Sequence, residues 1–351
     1  MKKMWTVYVA VAAVLYLVGS TLYVAGAFKS ITPKVAGPVA EVYTGIYGPE
    51  DMDVDESVGR LYISSANRWN TMRGLPAADA IWILDLDTTA SPRRMANTYP
   101  GEFHPHGISL LKSSPADLLF VVNHNPSGNY VEEFIIHGDS LLHQRSYSDP
   151  SMCCPNDVVG IAPGVFYVTN DHGNAKGFGR TLEDYARLPQ ASLLYYDSKD
   201  FTTAYGGLRY ANGVNINSDG SRVYVATTTG RNLLTFERDA STGTLRHLST
   251  LGLKTGVDNI DVDADGNLWI AAHPKLLAFV GHAKDSLKKS PSQVLRLTPR
   301  EGDLYQVDEI FMDDGAQLSG SSIAVRYKDQ LLLGGVFQPR ILRITLPAGK
   351  P

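Results

Sequence analysis

The chain is poor in cysteine: two residues in 351, adjacent at Cys153 and Cys154. That excludes a disulfide framework and leaves the compartment to be read from other features. It also lacks a basic excess. Lys and Arg number 32 against 36 Asp and Glu, for a net charge of −4, so no nucleic acid is expected as a partner. No Asn-x-Ser/Thr acceptor with x other than proline occurs, which removes N-glycosylation. From Val39 onward no strong amphipathic helix pattern persists, which argues against a helical bundle.

One absence is positive information. No charged residue falls between Met4 and Phe28, a stretch long enough to cross a hydrocarbon core of about 30 Å. Lys2 and Lys3 precede it and favour a cytoplasmic amino end, with the body outside. Ala25 and Ala27 would suit a signal-peptide cleavage site. The apolar run is longer than the usual cleavable core of about 7–15 residues, which favours a retained anchor. Under either reading the body is exported, membrane-anchored or secreted. Residues 1–36 are read as signal-anchor and linker, and residues 37–351 as one body.

What is abundant are short apolar, β-branched runs between turns, such as "GRLYISSA", "DLLFVVNH", "SRVYVATT", "KLLAFV" and "QLLLGGVF". With 32 glycines and 18 tyrosines, they predict an all-β protein. "ANGVNINSDGSRVYVATTTGRNLLTFERD" and "DNIDVDADGNLWIAAHPKLLAFV" repeat one layout, and weaker copies begin near residues 51, 107, 157 and 321. A repeat of roughly fifty residues is the size of a four-stranded propeller blade. Six copies predict a six-bladed β-propeller behind an N-terminal hydrophobic helix.

In a propeller the residues opening the innermost strands meet on the central axis. Here they are Glu50–Asp51, His106, Asn156–Asp157, Asn212, Asp258–Asn259 and Ser321–Ser322, all polar. One Asn–Asp pair is most often only a turn; a set in register around one axis predicts a site. Carboxylate and amide oxygens without cysteine suit Ca²⁺, whereas Zn²⁺ would want more His or Cys. "DVDADG" (Asp261 to Gly266) resembles an EF-hand start, but its twelfth position is Ala272, so it reads as a hairpin turn. Asp53 and Asp55 read as solvated turn carboxylates and His104 as a turn residue; Cys153 and Cys154 read as small buried residues, with chelation or a strained vicinal disulfide as the alternatives.

In order and spacing, "YGPEDMDV", "HPHGISL", "FVVNH", "PNDVVG", "YVTNDH", "YANGVNI", "VDNIDV" and "AAHP" resemble the serum paraoxonase/arylesterase family over about residues 40–345. The resemblance implies a six-bladed propeller with two Ca²⁺ ions in its tunnel and hydrolysis of lactones and aryl esters, with phosphotriesters as promiscuous substrates. It assigns a catalytic ion to Glu50, Asn156, Asn212, Asp258 and Asn259. A structural ion falls to Asp51, Asp157 and the carbonyl of Ile108. His106 and His124 match the family's histidine dyad. Asp171, His172 and His273 match further pocket residues, and Trp69, Tyr210, Ser322 and Val336 fall at its walls. The chain departs from the family in lacking the cysteines that join its ends, so closure must come from strand pairing. Ala272 stands where the family has a free cysteine.

The residues suit that chemistry independently. A cation with an open position polarises a carbonyl, and a histidine with a pKa near 6.5 accepts a proton from water at neutral pH. Asp258 is a further proton acceptor on the axis. The competing expectations are a sugar-lactonase, a strictosidine-synthase-like propeller enzyme, and a non-catalytic propeller that binds a partner.

Overall fold

The computed structural model describes residues 2–347. Its β-structure forms six sheets of four or five strands arranged as propeller blades, antiparallel throughout except that the short edge strand Ala96–Asn97 runs parallel to Ser140–Tyr147. The inner strands are Pro49–Asp55, Pro105–Leu111, Pro155–Ala162, Ala211–Ile216, Gly256–Val262 and Ser321–Tyr327, for blades one to six. Each matches one sequence repeat.

The apolar side chains make six cores, one between each pair of neighbouring blades. Leu119 and Val121 pack with Ile81 and Ile83 of blade one. The alternate residues Phe120 and Val122 pack with Phe166 and Val168 of blade three. A strand buried on both faces reads as a continuous apolar run rather than an alternation, which is why "DLLFVV" carries no polar face.

No disulfide closes the ring. Val39–Thr44 supplies the outermost strand of blade six and pairs antiparallel with Arg340–Thr345, setting Val42 opposite Leu342 and Tyr43 opposite Ile341. Lys34 and Val35, within the stretch read as a linker, instead pair with Met312 and Phe311 on the edge of blade five.

Among the described residues four helices interrupt this plan: α1 (Lys2–Val24), α2 (Arg68–Met72), α3 (Phe178–Ala186) and α4 (Leu276–Lys284). α4 corrects the reading of "KLLAFV" as a strand. Pro274 ends the preceding strand, and Leu-Leu-Ala are good helix formers. The third strand of blade five comes only later, at Ser292–Arg300. In α1, Met4–Val24 has a mean hydropathy of 2.0 and none of its most apolar stretch is buried. The end of the helix is nevertheless fastened to the propeller. Thr21 Oγ1 donates to Tyr185 O at 2.7 Å, Arg187 Nη2 to Ser20 Oγ at 2.7 Å, and Leu276 N to Ala25 O at 2.9 Å.

Candidate active site

All six inner strands break register where they open. The interruptions fall between Pro49 and Asp51, Pro105 and Ile108, Pro155 and Val158, Ala211 and Val214, Val257 and Ile260, and Ser321 and Ile323. Glu50, His106, Asn156–Asp157, Asn212, Asp258–Asn259 and Ser322 all lie inside these bulges. A bulge leaves residues out of the ladder and re-aims their side chains, so neighbours in sequence are freed from strict alternation. The bulges of adjacent blades also touch. A Cβ on Gly107 would lie 2.5 Å from the Asp157 Cα, and one on Gly213 would lie 2.7 Å from the Asn259 Cα. Only glycine fits at either place.

Above the bulges opens a cavity of about 750 Å³. Glu50, His106, His124, Asn156, Asn212 and Asp258 line it, together with Asp171, Tyr210, His273 and Val336. Three residues expected at its wall stand one layer back. Trp69 stacks on Phe337 and donates its indole N–H to Ala283 O at 3.1 Å. Ser322 donates to Glu50 O at 2.6 Å. His172 is buried behind Asp171 and edge-on to Tyr210.

Glu50 Oε2 and the Oδ1 atoms of Asn156 and Asn212, which line the cavity, and of Asn259, which is bonded to Glu50, are buried with no hydrogen-bond partner among the described residues. An unpaired buried oxygen costs about 1–3 kcal/mol. Four of them, from four blades, make a hard-donor set that fits Ca²⁺. Asn259 Nδ2 donates to Glu50 Oε1 at 3.0 Å, and Asn212 Nδ2 to Thr228 Oγ1 at 3.1 Å, which aims both amide oxygens away from those contacts. Asp258 Oδ2 is 2.6 Å from His273 Nε2. Burial raises the Asp258 pKa, partly offset by that histidine.

A second, smaller cavity of about 10 Å³ lies further along the tunnel, bounded by Asp51, Asp53, Ile108, Asp157 and Asp261 among others. Asp51 Oδ2 accepts from Ile108 N at 2.6 Å, and Asp157 Oδ2 from Val214 N at 2.7 Å. Burial and mutual repulsion push the Asp51 carboxyl well above its usual range; burial does the same to Asp157. A cation between them would reverse the effect. Asp53 corrects the turn reading: it sits on the inner strand, accepts from Leu110 N at 2.7 Å, and is raised to about 6 by burial. Asp55 is buried and bonded to Lys112 Nζ at 2.9 Å, not solvated. Asp261 lies within the inner strand of blade five, one residue before its end, and only Asp263 to Gly266 form the turn. Spacing could have shown this, since Asp51, Asp53 and Asp55 alternate along one strand.

Beside Glu50, His106 Nδ1 lies 2.8 Å from His124 Nε2, and His106 Nε2 lies 3.5 Å from Glu50 Oε1. His124 Nδ1 is 3.0 Å from Asn129 Oδ1, and Asn129 Nδ2 donates to Cys153 O at 2.8 Å. A carbonyl can only accept, so the amide nitrogen of Asn129 must face Cys153 and its oxygen His124. The network therefore places a proton on His124 Nδ1, leaves its Nε2 to accept from His106 Nδ1, and frees His106 Nε2 as a base. Loss of water and the charge of His106 lower the His124 pKa to about 4. Burial disfavours the Glu50 carboxylate, but His106, Arg68 and Asn259 outweigh it and hold its pKa at about 2.

Sequence reading gave Arg68 and Asp79 no role in holding this wall, and read His104 only as a turn residue. Arg68 Nη1 donates to Gly48 O and Val336 O, both at 3.2 Å, and its Nη2 lies 3.8 Å from Glu50 Oε2. His104 is more than a turn residue: its Nδ1 is 2.7 Å from Asp79 Oδ2, and Asp79 Oδ1 accepts from Asn67 N. This clasp ties the loop carrying α2 to blade two. His172 bridges Asp171 Oδ1 at 2.7 Å and Asp184 Oδ1 of α3 at 2.9 Å. Burial opposes its charge, but the two carboxylates prevail and raise its pKa to about 9.

Comparison with known proteins identifies the family and the fold. Residues 46–344 match the family model for arylesterase. Chicken serum paraoxonase/arylesterase 2 is 32% identical over 323 residues, 89% of this chain and 90% of its own length. Human serum paraoxonase/arylesterase 1 is 33% identical over 259 residues, 73% of this chain and 71% of its own. A luciferin-regenerating enzyme of solved structure shares the fold, with a TM-score of 0.56 at 14% identity over 90% of this chain and 95% of that one. Family match, relatives and propeller together place the chain in the arylesterase family, among hydrolases of the esterase and lactonase class.

Proposed function

We propose that the protein is a calcium-dependent hydrolase of lactones and aryl esters, acting at the floor of the large cavity. The observation that carries this reading is the set of four unpaired buried oxygens directly beside a hydrogen-bonded histidine pair. Glu50, Asn156, Asn212, Asp258 and Asn259 would hold the catalytic ion. Asp51, Asp157 and the Ile108 carbonyl would hold a structural one. The bound cation supplies polarisation of the substrate carbonyl and stabilises the charge that develops on its oxygen.

The chain's own part is proton handling and orientation. His106 Nε2 takes a proton from the attacking water, and the imidazolium so formed faces the Glu50 carboxylate. His106 keeps its Nδ1 proton against His124 Nε2, and Asn129 fixes the ring of His124. The low pKa of His124 keeps that ring neutral at pH 7, so it accepts a hydrogen bond without competing charge. The walls formed by Asp171, Tyr210, His273 and Val336 receive the remainder of the substrate.

We also infer that α1 is retained as a membrane anchor, with the body on the extracytoplasmic side. Thr21, Val24 and Ala25 line the cavity mouth, so cleavage after Ala27 would remove part of its rim. The test of function is a panel of acyl-homoserine, aliphatic and aromatic lactones, phenyl acetate and a phosphotriester, assayed with chelator and after calcium is restored. Lactone and phenyl acetate turnover that disappears with chelation and returns with calcium is expected. Undiminished turnover by metal-free protein overturns the calcium reading, and inertness toward the whole panel favours a binding module.

A further inference from the structure

Cys153 and Cys154 are the only cysteines in the chain, and both line the large cavity. Their Sγ atoms lie 2.9 Å apart, both as free thiols, with Cys153 half-buried and Cys154 buried. The pair is also wired to the site on both sides. Cys153 O receives Asn129 Nδ2, whose amide oxygen holds His124. Cys153 Sγ donates to His172 O at 3.0 Å, and Cys154 O accepts from Asp171 N at 2.9 Å. Asn156, one of the four unpaired oxygen donors, is two residues further on.

We propose that Cys153 and Cys154 form a dithiol modification site in the cavity wall, closed to a disulfide by exchange with a small-molecule disulfide and coupled to the histidine pair. The sulfur of Cys153, the more exposed, attacks one sulfur of the reagent and expels its other half as a thiol. Cys154 then attacks the mixed disulfide at the Cys153 sulfur and expels the second half. Two protein thiols and one external disulfide become one protein disulfide and two external thiols, with the protons passing to the departing thiols.

The coupling follows from chain geometry. Consecutive Cα atoms are about 3.8 Å apart, short of the roughly 4.4–6.8 Å that an ordinary disulfide spans. Closing the bond therefore demands a turn of the peptide between the two cysteines. That peptide carries the Cys153 carbonyl, so closure withdraws the acceptor of Asn129 and releases His124. A bond closed under such constraint is easily reduced, as labile and regulatory disulfides are. Export, as proposed above, would place the pair where disulfides form and persist.

The inference rests on the hydrolase reading for its effect on turnover, but not for its chemistry. The experiment incubates full-length protein in buffers of oxidised and reduced glutathione, then counts free thiols after denaturation and weighs the peptide containing both cysteines. Turnover of a lactone by fully reduced protein, measured first, tests the hydrolase reading alone. The expected result is loss of both thiols as an internal disulfide, and a fall in turnover of roughly tenfold or more, as for a misplaced catalytic group. Dithiothreitol should restore the activity. Cys153→Ser, which lacks the attacking sulfur, should lose its response to oxidised glutathione, whereas Cys154→Ser should stop at the mixed disulfide with glutathione and form no internal bond; either variant alone suffices should the other fold poorly. Two intact thiols at every glutathione ratio, or only a glutathione adduct, overturns the site. A disulfide that changes turnover less than about tenfold overturns the coupling.

Discussion

At the residue level, the proposed chemistry turns on which atom of which histidine holds a proton. Asn129 and Cys153 O fix His124 with its proton on Nδ1, and this passes the basic lone pair to His106 Nε2. His106→Gln is therefore expected to lower ester and lactone turnover by about 10²–10⁴-fold, the usual worth of a general base. Calcium content and melting temperature should hardly move. Full activity in the variant would leave Asp258 as the acceptor on the axis. His172 makes a second, separate prediction. Its folded-state pKa of about 9 lies above the ordinary 6.5, so its contribution to stability is complete below pH 6.5. That contribution is lost as the pH rises through 9. Denaturant unfolding across this window should show stability falling with pH, and His172→Gln should flatten the slope. An unchanged slope in the variant would remove the Asp171–His172–Asp184 bridge as its cause.

At the level of elements, the six bulges decide which residues can share an ion. Asn212 lies in one of them and presents an unpaired oxygen to the floor of the large cavity. Asp157 lies in another and instead receives Val158 N and Val214 N beside the small cavity. Asn212→Ala is accordingly expected to abolish hydrolysis at modest cost in stability. Asp157→Asn should lower the melting temperature sharply, because a buried ion that binds only the folded state stabilises it. Calorimetry with metal stoichiometry separates the two, and an Asp157→Asn protein that melts like the parent with two ions bound would refute the lower site. These elements also show what a sequence can disclose. Runs such as "SRVYVATT" disclosed inner and second strands because burial on both faces leaves an unbroken apolar signature. The polar residues opening those strands disclosed the axis. The α4 segment did not, since a short apolar run has no period by which helix and strand differ. Nothing around Arg68, His104 or Asp79 announced their roles, because they act through partners distant in sequence, which only the folded chain brings together.

At the scale of the whole molecule, the orientation of the cavity follows from α1. Its last turn is bonded to Tyr185, Arg187 and Leu276 at the cavity mouth, so a bilayer holding that helix lies on the same side as the substrate entrance. In sealed inside-out vesicles, with the cytoplasmic face exposed, added protease should leave the body intact, and the purified protein should retain its first residues. Digestion of the body from that face would reverse the topology, and a mature amino terminus at Phe28 would show cleavage.

The strand that closes the ring also sets an order of manufacture. Tyr43 and Arg343 meet in the finished sheet although they lie 300 residues apart in the chain. At about 5–20 residues per second, Tyr43 leaves the ribosome roughly fifteen seconds to a minute before Arg343 exists. During that interval Val39–Thr44 is an open edge, just behind the helix proposed above as a membrane anchor. A tether there would work in the chain's favour: the first strand would be held beside the place where the last one will arrive.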